Sequence, residues 1–111
     1  MLDEKTIRKY LPLSEATYYI LLALVEPLHG YGVMQKVEGV SKGAVTIGPG
    51  TLYGAFSTLE KEGLIVMTGQ EARRKIYALT ANGRQVLLEQ IRRIELMADN
   101  GREVKQELEV E

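Results

Sequence analysis

Three consecutive cations, Arg73, Arg74 and Lys75, and four hydroxyls, Thr51, Tyr53, Ser57 and Thr58, are the side chains of this sequence best suited to chemistry. That chemistry is recognition, since guanidinium and ammonium groups neutralise phosphates and short hydroxyls bond to base edges or phosphate oxygens. Bond-breaking has little to work with. The chain has no Cys and one His, His29, which removes thiolate zinc sites, disulfide frameworks and Cys–His nucleophile pairs, and no metal or cofactor is expected. Glu60, Glu62 and Glu71 fall on polar or loop positions and no Ser–His–Asp ordering suggests a catalytic site, so the chain reads as a non-enzyme. Gly48-Pro49-Gly50-Thr51 lacks the Gly-Lys-Ser/Thr ending of a phosphate-binding loop and reads as a turn. His29, alone in a glycine-bounded turn, is expected to bond backbone or to pack.

The frame that must position these groups is small. At 111 residues, with 45% hydrophobic and 26% charged positions, the chain has room for one domain and a packed core. A core of that size is modest, and assembly would supplement it. The net charge of −1 argues against nucleic-acid binding by bulk charge, yet residues 1–80 carry +1 and residues 81–111 carry −2, so the acidity gathers at the end. The apolar run Tyr18 to Val25 is too short to cross a bilayer and the N-terminus is unlike a signal peptide, which predicts a cytoplasmic protein without membrane contact.

Ser14 before Glu15 predicts a helix start, and Pro27 predicts a stop after Glu26. The intervening residues are apolar nearly all round and should be buried on more than one side. Leu28-His29-Gly30-Tyr31-Gly32 reads as a tight connection, followed by a short helix from Val33 to about Ser41. Ser41 to Gly50 holds too many breakers for a helix, with Val45-Thr46-Ile47 extended. From Thr51 to Gly63, Leu52, Phe56 and Leu59 form an apolar stripe and the hydroxyls lie off it, with Gly63 closing the helix. Leu64 to Met67 and Arg74 to Leu79 read as the strands of a two-stranded ribbon with its tip at Gly69–Arg73. Thr80 caps a last helix, with a break at Asn100-Gly101 and a mobile end beyond it.

Helix, helix, turn, helix, hairpin and long helix is the order of a winged helix-turn-helix, mainly α with a two-stranded β-wing and a long C-terminal dimerisation helix. Its third helix fits a major groove and its hairpin lies alongside as a wing, where Arg73, Arg74 and Lys75 meet phosphates or a minor groove. The residues in fact resemble the PadR family of transcriptional regulators. The likeness is carried by Leu28-His29-Gly30-Tyr31-Gly32, Pro49-Gly50-Thr51-Leu52-Tyr53, Leu59-Glu60-Lys61-Glu62-Gly63-Leu64-Ile65 and Arg73-Arg74-Lys75-Ile76-Tyr77-Ala78-Leu79-Thr80 with Gly83, over roughly Leu13 to Ile94. This resemblance implies a cytoplasmic homodimeric repressor of the compact, single C-terminal helix type. Such a repressor binds a pseudo-palindromic operator in double-stranded DNA and is released by a small hydrophobic or aromatic effector. It places Thr51 and Tyr53 at DNA-facing positions, Ser57 and Thr58 at variable base-facing ones, and Arg73 and Arg74 on the wing; helical spacing adds Lys61. Gly54 and Phe56 stand where relatives commonly have Pro and Leu, and the chain lacks the Trp with which compact relatives hold flat aromatic drugs.

Residues 1–80 are therefore expected to form the winged helix-turn-helix and residues 81–111 the dimerisation helix and mobile tail, as one compact unit. Leu87, Ile91, Ile94 and Ala98 form the stripe expected to pair with a second copy, because a helix of ~20 residues reaches ~30 Å, beyond so small a core. An effector would sit between the dimer helices, against Leu96 and Met97. The competing reading is a winged-helix module that binds another protein instead of DNA. Salt dependence separates the two, because only phosphate contacts make affinity fall steeply with ionic strength.

Overall fold

The computed structural model describes residues 2–110. Its elements are α1 (Glu4–Arg8), α2 (Glu15–Ala23), β1 (Leu28–His29), α3 (Gly30–Val40), α4 (Pro49–Lys61), β2 (Ile65–Glu71), β3 (Arg74–Leu79) and α5 (Ala81–Glu109). The order is that of a winged helix-turn-helix followed by a long helix.

Local chemistry sets most boundaries. The Ser14 hydroxyl accepts the Thr17 amide at 3.1 Å and starts α2 where expected. The helix closes at Ala23, three residues short of Glu26, with the Leu24 carbonyl turned outward to accept the Leu79 amide at 3.2 Å. A sheet contact thus ends the helix before Pro27 can. Gly63, at φ 76°, is the residue after the α4 C-cap, a left-handed position suited to glycine. Helix α4 begins at Pro49, two residues earlier than expected, because proline's fixed φ suits the first helical position. The sequence reading contains no α1, whose single turn is capped by Asp3 accepting the Thr6 amide at 2.8 Å. That bond holds the Asp3 carboxyl below its usual pKa.

The expected two-stranded ribbon is a three-stranded antiparallel sheet in the order β1-β3-β2. Leu28 and His29 lie opposite Tyr77 and Ile76, so the supposed connection is an edge strand using the free side of β3. The hairpin tip is also tighter than expected. Strand β2 runs on to Glu71 through a bulge between Met67 and Gly69, leaving Ala72 and Arg73 to turn the chain, with Ala72 at φ 54°. Val45 and Ile47 form no strand; both side chains enter the core, and Ser41 braces the loop by accepting the Val45 amide at 3.0 Å.

Ile20, Leu21, Leu24, Val33, Val37, Leu52, Leu64, Ile65 and Val86 are almost wholly enclosed, so α2 to α5 and the sheet share one core. Helix α5 starts hard against the chain just before β2, where Gly83 meets Leu64. There the Thr80 hydroxyl accepts the Gly83 amide at 3.0 Å and donates to the Gly63 carbonyl at 2.6 Å, while the Thr80 amide donates to the Leu64 carbonyl at 3.1 Å. A Cβ on Gly83 would run into that same Leu64 carbonyl. The N-terminal segment is tied to α5 by two glutamines. Gln85 accepts the Leu2 amide at 3.0 Å and donates to the Leu2 carbonyl at 2.7 Å, and buried Gln90 accepts the Leu13 amide at 3.0 Å.

The break expected at Asn100-Gly101 is absent, and α5 continues for 29 residues to Glu109, about 43 Å at 1.5 Å per residue. One glycine in a helix interior costs only about 1 kcal/mol. Strong helix formers on both sides and the Arg102–Asp99 ion pair carry the helix through it.

Candidate nucleic-acid interface

Leu52, Phe56 and Leu59 turn inward from α4 and fix its rotation. The opposite face is then Gly50, Gly54, Ser57 and Lys61, with Thr51, Tyr53 and Thr58 on its flanks, and all seven are exposed. No neighbouring atom would touch a Cβ at Gly50 or Gly54, so the fold does not require glycine at either. The outer face of α4 is bare, small and uncharged over three turns, with a cation at its end.

One flank of α4 and the wing enclose a cleft of about 400 Å³, bordered by Tyr53, Ser57, Glu60, Arg73, Arg74 and Lys75 and floored by Phe56 and Tyr77. Packed aromatics form that floor, with the Phe56 and Tyr77 rings tilted at 53° and their centroids 4.9 Å apart, and Tyr53 edge-on to Phe56 at 6.1 Å. Burial, reinforced by the Glu60 charge, raises the Tyr77 phenol above its usual pKa and keeps it protonated. Gly30 leaves the space that Tyr53 needs, since a Cβ there would lie 2.7 Å from the Tyr53 hydroxyl oxygen.

The structure brings most of the anticipated residues together. Tyr53, Ser57, Arg73, Arg74 and Lys75 border the cleft, Lys61 lies exposed on the outer face of α4, and Thr51 lies exposed on the opposite flank, the one that carries Thr58. Thr58 faces the other way, into a second groove of about 370 Å³ with Lys9 at the end of α1 and Ser14 and Thr17 at the start of α2. Sequence reasoning missed His29, Tyr31 and Glu60 as cleft residues. No local signal carried the first two, because they reach the wing only through the pairing of β1 with β3, 45 residues apart at His29 and Arg74.

The residues expected to pair two copies divide between two environments. Leu87 is buried in the chain's own core and Ile91 packs against it, while Ile94 is half-buried and Ala98, Leu96 and Met97 stand exposed along α5. Beyond the core, Ile94, Met97, Gly101, Val104 and Leu108 recur at alternating steps of three and four. No helix among the described residues is long and apolar enough to cross a membrane.

The profile of the Transcriptional regulator PadR-like family matches residues 8–89. The chain is 31% identical over 71 residues to the transcriptional regulator YqjI of Escherichia coli, covering 64% of this chain and 34% of that protein. It spans between about a fifth and a third of the length of the curated relatives it matches. Among solved structures, a transcriptional regulator from Clostridium thermocellum superposes with a TM-score of 0.67 at 26% identity, over 93% of this chain and 97% of that one. PadR of Bacillus subtilis, solved in complex with operator DNA, superposes with a TM-score of 0.62 at 25% identity over 72% of this chain and 48% of that one.

Proposed function

Because the chain belongs to the PadR-like family of transcriptional regulators, we propose that it is a cytoplasmic, sequence-specific DNA-binding protein that acts as a homodimeric repressor. The observation that carries this reading is the uncharged, glycine-bare face of α4 set beside a wing that bears Arg73, Arg74 and Lys75. A helix with that face sits deep in a major groove while the cations hold the flanking backbone. Two copies joined along α5 present two such helices to the half-sites of a pseudo-palindrome, about one helical turn or a small multiple apart. The 3-4 stripe from half-buried Ile94 through exposed Met97, Val104 and Leu108 supports that joining and extends the seam beyond Ala98, into the segment expected to be a mobile tail. Repression follows from blocking polymerase. A small hydrophobic effector seated near Leu96 and Met97 releases the operator by favouring a different dimer geometry.

Fluorescence anisotropy of labelled DNA from upstream of the protein's own gene, titrated at two salt concentrations beside a scrambled duplex, tests this. Tight, salt-sensitive binding that prefers the native fragment is the expected result. Equal, negligible binding to both duplexes overturns it in favour of a protein partner.

Three substitutions refine the interface. Arg74→Ala is expected to weaken binding to all sequences alike, whereas Ser57→Ala shifts preference between half-site variants, as competition against a panel of mutated duplexes would register. The opposite pattern would reverse their roles. Gly54→Ala is expected to stabilise the free protein by about 0.5–1 kcal/mol, because it replaces an unneeded glycine in a helix interior. The same variant should bind DNA more weakly. Thermal unfolding and anisotropy on one preparation compare the two effects, and unchanged affinity would mean that α4 does not approach the groove floor.

A further inference from the structure

His29 does two things at once, and they dictate its proton. Its Nδ1 accepts the Gly32 amide at 3.0 Å and so caps α3. A nitrogen that accepts carries no hydrogen, so the proton of the neutral ring is on Nε2. That N–H faces Nη1 of Arg74 at 3.4 Å, and a guanidinium has only donors. Two donors 45 residues apart in the chain therefore converge, and neither has a hydrogen-bond acceptor among the described residues. The arrangement is held from several sides. The Arg74 guanidinium lies 5.6 Å over the Tyr31 ring, whose hydroxyl accepts from Gln35 at 3.2 Å. Gly32 leaves room for the imidazole, since a Cβ there would lie 3.3 Å from its Cε1 and 2.7 Å from Leu28 Cδ1. The carboxylate bordering the cleft, Glu60, makes no ion pair among the described residues.

Two donors, one of them cationic, fit an anionic group that can offer oxygens to both. We propose that His29 and Arg74 together clamp one phosphate of the DNA backbone beside the tip of the wing, Nε2–H and the guanidinium each donating to it. This rests on the DNA-binding reading above. The phosphate turns an unfavourable donor–donor contact into two good bonds, so the clamp is complete only when DNA is present. His29 is thereby a DNA-contacting residue as well as the cap of α3.

The single imidazole makes this directly observable. In long-range 1H–15N spectra of the tag-free protein, the free ring should show the Nε2–H tautomer, and adding a DNA duplex should move the Nε2–H proton downfield and slow its exchange. His29→Asn keeps a good cap but lacks the distal donor. It should melt within about 3 °C of the parent and bind DNA roughly tenfold more weakly, with an unchanged slope of log affinity against log salt, because the lost donor is neutral. Arg74→Ala should lower that slope by about 0.9 per protomer. A ring in the Nδ1–H tautomer, or an Nε2–H signal unmoved in a sample where anisotropy shows DNA bound, overturns the clamp and leaves DNA binding standing. Millimolar inorganic phosphate that moves the signal where DNA does not overturns the backbone assignment. A parent protein that binds no DNA removes both readings.

Discussion

Gly83→Ala is expected to lower the stability of the protein by about 3 kcal/mol, the upper end for an overpacking substitution. The new methyl group points at the Leu64 carbonyl, and neither side can yield. That carbonyl already accepts the Thr80 amide at 3.1 Å, and the Leu64 amide donates to the Leu59 carbonyl at 2.9 Å. Moving α5 away would pull the Thr80 hydroxyl off either the Gly63 carbonyl or the Gly83 amide. For a domain whose total stability is roughly 5–15 kcal/mol, such a loss lowers the melting temperature by more than about 10 °C. Circular dichroism melts and urea titrations check it. Gly39→Ala is the control, because no neighbour lies within 4 Å of its Cβ position and the change should be neutral or stabilising. If the two variants melt together, α5 does not approach the Leu64 backbone as described.

Replacing Arg73, Arg74 and Lys75 by Ala together is expected to remove DNA affinity by a factor on the order of 10³ at ~0.1 M salt while leaving the fold intact. All three are exposed at the end of the hairpin, outside the core, so melting should shift by no more than about 3 °C. In a dimer six cations disappear, and the slope of log affinity against log salt should fall by about 5 if each had met a phosphate. Binding to scrambled DNA should vanish with it, since charge supplies nearly all non-specific affinity. A triple variant with unchanged slope would place the wing away from phosphates and favour a protein-binding surface.

The sequence was most legible where a single residue settles a boundary. Ser14 and Thr80 start their helices, Gly63 ends one, and β3 runs from Arg74 to Leu79 as read. The inward stripe of α4 was legible too, and with it the outward faces of Tyr53 and Ser57. Illegible were features decided by partners distant in the chain. Two residues, Leu28 and His29, become a strand only because β3 has a free edge, and α2 ends early only because Leu79 calls on the Leu24 carbonyl. Helix α1 is too short for any periodicity. Gly101 looked like a break because its own propensity is poor, but the residues around it outvote it. Leu87 looked like dimer surface because periodicity alone cannot say which part of a long stripe the chain's own core will claim.

The pairing of β1 with β3 has a mechanical consequence. His29 ends an edge strand, begins α3 and touches the wing at Arg74, so the wing cannot hinge freely against the helices. Leu2 and Leu13, fastened to Gln85 and Gln90, similarly brace the root of α5 against the N-terminal helices. Each chain is thus a single stiff body with a long arm. In the proposed dimer, a signal that retuned operator spacing would have no flap to lift and would act by swivelling whole bodies about the arm they share. In such a dimer a slight angular change at the far end of the arm would become a large sideways displacement of α4, making α5 a lever whose sensitivity scales with its length.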